Sequence, residues 1–410
     1  MNYKLDEVCD FYNGGAWSDK EYVSDGLPVL KVSNCKNKGF QIDNVSYLPV
    51  TLKEKYAKNK LRIGDVIIAT VGSHPSLIES AAGRSCVVNS LVEGFYLNQN
   101  AVCVRTKNLD VLDQRYLGYL CKERNFMHYI QNKGRGAANQ MRIAIGAIKE
   151  YELDLPEIDI QRRIAHILSA YDDIIENNQK QIKLLEEAAQ RLYKEWFVDL
   201  RFPGYENCKI VDGVPEGWSK DRADNFFKIT IGKTPPRAEK QWFVDGSVGM
   251  PWLSISDMGN AGVYVFNTSE GLTSDAVQKY NMKVVPAGTV FVSFKLTIGR
   301  VAIAIKDMCT NEAIAHFCIE NDKLRAYTYC YLSNFEYDTL GNTSSISKAV
   351  NSKIIKAMPF VMPNDDTIEK FSYVVDPILN EIKVKQEICN ELIEARDRLL
   401  PKLMSEEVEV

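Results

Sequence analysis

Between Lys133 and Arg142 the chain runs KGRGAANQMR, which sets the cations Lys133, Arg135 and Arg142 and the amides Asn139 and Gln140 among Gly134, Gly136 and Ala137. Guanidinium and amide groups can pair with base edges, Lys and Arg neutralise phosphates, and glycines let backbone approach a groove closely. The stretch lies in a basic region: residues 115–149 carry seven Lys or Arg against one acid, Glu123. Two other polar stretches in the same half, Ser33–Lys38 with Ser33 and Asn34, and Ser73–Ser76, offer hydroxyl and amide groups of the same kind. In the second half the candidates are Lys233, Thr234, Arg237, Ser256, Lys295 and Arg300, together with Ser344, Ser345 and Lys348 of GNTSSISKAV. The chemistry these residues share is recognition of a polyanion.

Bond-making chemistry finds no comparable set. His316 and Glu312 lie in NEAIAHFCIE and His74 follows Ser73, but no third group stands at a spacing that would complete a triad. Gly232-Lys233-Thr234 has the end of a phosphate-binding loop, yet Phe227 stands where that loop needs its first glycine. No Gly-x-Ser-x-Gly or His-Glu-x-x-His occurs, and the only double proline, Pro235-Pro236, follows Thr234 and precedes Arg237, unlike the Asn/Asp-Pro-Pro-aromatic element of an amino-methyltransferase. The four histidines and ten cysteines are scattered without zinc-site spacing, so neither a metal nor a catalytic residue is expected. Trp17, Trp242 and Trp252 read as packing residues.

These side chains must be positioned by a chain of 410 residues, too long for one ordinary core. Its net charge of −4 excludes a uniformly basic binder, and 45% hydrophobic with 25% charged residues is the composition of a folded, water-soluble protein. Single cysteines without Cys-x-x-Cys pairs, no apolar run of spanning length and no signal pattern in MNYKLDEVCD imply reduced thiols and a cytoplasmic protein that meets no membrane.

The organisation is a repeat. Shifting the sequence by 207 residues lays Gly134–Pro156 over Gly341–Pro363, and the same offset continues into a long helical pattern in each half. In the first, Leu168, Tyr171, Ile175, Asn178, Ile182, Leu185, Ala189, Leu192 and Trp196 alternate by three and four; in the second, Val375, Ile378, Ile382, Lys385, Cys389, Leu392, Arg396, Leu399 and Leu403 do the same. Upstream, GLPVLKVSN corresponds to GMPWLSISD, IGDVIIAT to AGTVFVSF and GRSCVV to GRVAIA, short β-branched runs bounded by turn residues. A helix of about 38 residues, roughly 57 Å long, needs a partner for its seam, and the other copy supplies one, with Asn178 and Lys385 as polar seam positions that set register. The expected fold is α/β (α+β): two repeated strand-rich globules, residues 1–157 and 201–366 with a leading linker 201–218, separated by an antiparallel two-helix coiled coil of residues 158–200 and 367–404, before an acidic tail, 405–410.

The tandem plan, with LYKEWFVDLRFPGYE from Leu192, VPEGW from Val214 and GKTP at Gly232, resembles the specificity subunit of Type I restriction-modification systems over nearly the whole chain. The resemblance implies two target recognition domains, each reading one half of a split double-stranded DNA sequence, with the helices as ruler and docking surface. It also implies partners: two methyltransferase subunits that modify adenine N6, and restriction subunits that translocate and cleave. S-adenosylmethionine, ATP and Mg would then belong to those partners, and this chain would direct chemistry without performing it. The competing reading is a protein-interaction scaffold that binds no DNA.

Overall fold

The computed structural model describes residues 2–36, 39–42, 45–72, 81–137, 140–295, 297–340, 350–405 and 407–408, with only the backbone described for 135–137 and 140. The chain divides into two compact units, Met1–Ile174 with Leu392–Val410, and Ile175–Glu391.

In the first unit the apolar run Val66–Ala69, buried on both faces, takes a central place in a four-stranded antiparallel sheet. The order across it is Cys9–Asn13, Ala101–Thr106, Val66–Ala69, Ser85–Val87. A second sheet sets Leu27–Leu30 between Ser46–Leu48 and Tyr96–Leu97, the latter pair parallel. Asn2–Lys4 pairs with Glu152–Asp154. The second unit repeats this plan. Lys228–Ile231, Ile314–Cys318, Val290–Ser293 and Val301–Ala304 stand in the same order, extended by Tyr264–Val265. Met250–Leu253 lies parallel to Cys309–Thr310 and antiparallel to Glu270–Leu272, and Ser219–Arg222 pairs with Pro359–Met362. The glycines of the repeated sequence runs do corresponding work: Gly64 and Gly288 both have φ +84°, and Gly83 and Gly299 have φ +81° and +86°, a left-handed conformation that a side chain disfavours.

The two long helices are Ile158–Tyr193, continued by a π turn at Lys194–Val198, and Asp365–Met404. In the first unit Ile164, Ala165 and Leu168 share a core with Leu399, Leu400 and Leu403, and Arg396 Nη1 meets Asp172 Oδ1 at 2.5 Å. In the second unit Ile182, Leu185, Ala189 and Leu192 share a core with Ile368, Phe371, Val375, Ile378, Leu379 and Ile382. There Cys389 Sγ lies 3.8 Å from the Ile175 carbonyl, while Trp196 and Phe371 ring centroids are 5.6 Å apart, so the helices pass in opposite senses. Every expected seam residue is buried or half-buried, Tyr171, Asn178, Lys385 and Leu392 included. The helices are nevertheless not separate from the globules: the division between the units cuts both, and each half-helix belongs to a unit's own core.

The LYKEWFVDLRFPG and VPEGW stretches form one aromatic cluster in the second unit. Phe197 lies 5.5 Å from Trp218, 4.6 Å from Tyr327 and 4.9 Å from Phe371, and Phe202 lies 5.1 Å from Trp218. Such ring pairs add about 0.5–1.5 kcal/mol each beyond burial, so these residues bind the end of the first long helix, the linker and the start of the second into one structure. All ten cysteines are free, and among the described residues no helix is long and apolar enough to cross a membrane.

Candidate nucleic-acid interface

In each unit four segments leave neighbouring strand ends at one place. In the first, Leu97 lies beside Leu30 in parallel pairing, so the turns 31–34 and 98–100 emerge together, and the Asn98 N–H donates to the Leu30 carbonyl at 3.0 Å. The Thr70 N–H, just beyond Val66–Ala69, donates to the Asn100 carbonyl at 2.9 Å, and the Gly15 N–H donates to the Leu97 carbonyl at 2.7 Å. In the second unit the same bonds recur: Asn311 N–H to Leu253 carbonyl at 3.0 Å, Phe294 N–H to Ala313 carbonyl at 2.9 Å, Lys233 N–H to Thr310 carbonyl at 3.0 Å. A Cβ on Gly14 would fall 2.0 Å from the Asn98 carbonyl oxygen, and one on Gly232 would fall 2.1 Å from that of Asn311. Gly232 of GKTP is therefore required by a backbone crossing.

The turn after the second-sheet strand is built alike in both units. The Lys31 N–H donates to Asn34 Oδ1 at 2.9 Å and the Ser254 N–H to Asp257 Oδ2 at 3.2 Å, which leaves Ser33 and Ser256 exposed at corresponding places. Asn34 is buried, its Nδ2 donating to the Gln41 carbonyl at 2.9 Å, so its amide shapes the turn. Arg300 Nη1 donates to the Ile255 carbonyl at 2.9 Å.

Other expected contacts gather at the same edge of the second unit. Thr234 donates to Glu312, and burial of that carboxyl, which works upward, is outweighed by the Thr234 bond and the charges of Lys295 and Arg237, so it stays below the usual range. Lys295 is exposed. Lys233 Nζ donates to the Tyr280 and Asn281 carbonyls at 3.4 and 3.3 Å. Arg237 has a structural engagement: it pairs with both Glu270 oxygens at 2.9 and 2.7 Å, and its guanidinium lies 4.3 Å from the Phe243 ring centroid and 4.6 Å from that of Trp252.

In the first unit the stretch expected as a loop at Lys133–Gln140 is largely a hairpin. Arg135–Ala137 pairs with Gln140–Arg142, which pairs in turn with Val71–Gly72, the segment that leads to Ser73. The sheet thus joins the hairpin to Val71–Gly72, and the candidate stretch Ser73–Ser76 itself lies outside the described residues. Lys133 is exposed beyond helix Arg124–Asn132, with Nζ 5.3 Å from the Tyr129 ring centroid, and Arg142 is exposed. Asn139, Ser73, Ser344, Ser345 and Lys348 lie outside the described residues, as do the side chains of Arg135 and Gln140.

His316 is fully buried, with Nδ1 2.9 Å from Thr230 Oγ1 and Nε2 2.6 Å from Thr310 Oγ1. Burial lowers its pKa to about 4, which suits a neutral core imidazole. Trp17 and Trp252 are core residues, and the Trp242 indole N–H donates to Glu239 at 2.8 Å. Among the described residues no three His, Cys, Asp or Glu side chains gather as a metal site.

Sequence reasoning missed Gln99, exposed at the place that Glu312 holds in the second unit, and Arg84, whose Nη1 donates to the Cys35 carbonyl at 2.6 Å. The signal was in the repeat: Asn98-Gln99 aligns with Asn311-Glu312 once the strand registers are matched, and Gly83-Arg84 with Gly299-Arg300.

A family model described as Type I restriction modification DNA specificity domain matches residues 1–187 and 215–394. The type I restriction enzyme MjaIX specificity subunit of Methanocaldococcus jannaschii is 27% identical over 314 residues, 73% of this chain and 70% of that protein. The type I restriction enzyme HindI specificity subunit of Haemophilus influenzae is 22% identical over 436 residues, 90% of each chain. In fold, the chain is similar to the crystal structure of the Type I restriction-modification system S subunit from M. genitalium, with a TM-score of 0.54 at 13% identity over 98% of this chain and 95% of that one.

Proposed function

This chain belongs to the Type I restriction-modification DNA specificity family, and on that premise we propose that each of its units reads one half of a split duplex DNA sequence through the edge where its turns converge. The observation that carries this reading is the duplicated edge itself. The framework bonds recur one for one, whereas the side chains upon it differ, exposed Gln99 against exposed Glu312 and half-buried Val71 against exposed Lys295. A constant scaffold with changed polar groups is what two readers of different base sequences require, because phosphate contacts position a protein and base-edge contacts specify the sequence.

The chain acts without catalysis of its own. Methyltransferase and restriction subunits bring S-adenosylmethionine, ATP and Mg to the assembly, and the antiparallel helices serve them as coiled-coil spacer and docking surface. Support for docking comes from the second long helix, where Tyr373, Pro377, Val384 and Ile388 fall on one exposed face, Tyr373 84% exposed, opposite the buried Val375, Leu379 and Ile382. An apolar stripe of this kind on a polar helix suits a partner protein.

The test is selection of bound sequences from a randomised duplex library by the chain assembled with its methyltransferase subunits. Two short specified blocks separated by a fixed unspecified gap are expected. Substitution Arg135→Ala should then relax one block only, whereas loss of a phosphate-facing lysine should weaken binding to all sequences and lessen the salt dependence. Binding without sequence preference, or equal relaxation of both blocks, overturns the reading.

A further inference from the structure

The strongest unassigned feature is a guanidinium that bonds the same turn in both units, after the exposed serine in the first, at Cys35, and before it in the second, at Ile255. Arg84 and Arg300 each follow a left-handed glycine, Gly83 and Gly299, at the start of corresponding strands. Each sends Nη1 to a backbone carbonyl of the turn beyond the second-sheet strand, Arg84 to Cys35 at 2.6 Å and Arg300 to Ile255 at 2.9 Å. Those carbonyls flank Ser33 and Ser256 within two residues on either turn, and both serines are exposed at the convergent edge. The residues that follow the arginines have diverged, Ser85-Cys86 against Val301-Ala302, while the Gly-Arg pair is the same in both.

We propose that Arg84 and Arg300 are positioning residues, each fixing the turn that presents Ser33 or Ser256 and so setting the base preference of one half-site without touching DNA. The inference rests on the DNA-reading function above and assigns it a control point. The physical reason is geometric. A planar guanidinium loses less freedom per hydrogen bond than an ammonium on a flexible stem, so its bond to the carbonyl fixes the turn more tightly, and base discrimination fails when a donor is misplaced by a fraction of its hydrogen-bond length. In the second unit the arrangement has a further constraint: a Cβ on Gly259 would fall 2.3 Å from Arg300 Nη1, so a side chain at that place on the helix Ile255–Asn260 requires the guanidinium to shift.

The experiment uses the chain assembled with its methyltransferase subunits and a duplex library randomised in one half-site at a time. Arg84→Lys and Arg300→Lys should each lower discrimination on the order of tenfold or more at their own half-site. The other half-site, the salt dependence of binding and the thermal unfolding midpoint should all stay as in the parent. Gly259→Ala, which keeps the arginine at position 300 but displaces its guanidinium, should reproduce the Arg300→Lys result. If the parent selects two sequence blocks and the variants select the same blocks equally sharply, the positioning role is refuted while the reading function stands. If discrimination falls only in step with the unfolding midpoint, or falls at both half-sites together, the role is likewise refuted. A parent that selects no sequence would refute the reading function itself.

Discussion

His316 shows how one residue separates the two copies. The strand Ile314–Cys318 corresponds to Ala101–Thr106, and the registers place His316 where the first unit has the buried Cys103. Neither side chain is charged in place: burial pushes the Cys103 thiol up to about 12 and lowers His316 from 6.5 to about 4. The unfolded histidine binds a proton that the folded one refuses, so its contribution to stability is fully present above pH 6.5 and is lost as pH falls through 4. The difference is about 3 kcal/mol. His316→Cys, which copies the first unit's residue, should flatten the fall in the thermal midpoint between pH 7 and pH 4. Parallel pH profiles for parent and variant would show that the imidazole is not held neutral.

At the scale of elements, the long helices offer a matched comparison. Leu168 and Leu184 lie on the same helix, yet Leu168 is fully buried and Leu184 is 64% exposed. Leu168→Ala should cost about 2–5 kcal/mol in denaturant unfolding through transfer and cavity terms, whereas Leu184→Ala should stay within about 0.5 kcal/mol; equal effects would contradict the seam. The three-and-four rhythm was legible in the sequence because it depends on side-chain type alone, and it ran correctly through Pro377. That proline lies on the exposed side, where buried Val375, Leu379 and Ile382 offset its missing hydrogen bond. The four-strand order could be anticipated only as strand-rich repeats. The convergent edge was hidden because Leu30 and Leu97 meet through parallel pairing of segments far apart in sequence. Composition marked Lys133–Arg142 as a polar, basic stretch, but its Gly-Ala run has no alternation from which to read the hairpin. Arg237 and Arg300 stand out in the sequence for their charge, but Arg237 is paired with Glu270 and Arg300 donates to the Ile255 carbonyl, engagements that spacing alone does not show.

At the scale of the whole molecule, a split target demands that the number of bases between its halves be fixed, and the chain supplies two continuous helices that run from one unit into the other. A loop would hold that number loosely; a helix with a buried seam changes length only in steps that keep its apolar face aligned. Seven residues are such a step, close to two turns and about 10.5 Å of rise. Removal of one matched heptad from both helices therefore preserves the seam while shortening the run by a length equal to about three base pairs at 3.4 Å each. The expected result in the library selection is retention of both specified blocks, with the preferred gap shorter by about that number. Blocks that persist at the original gap would mean that the helices join the units without measuring the distance between their sequences.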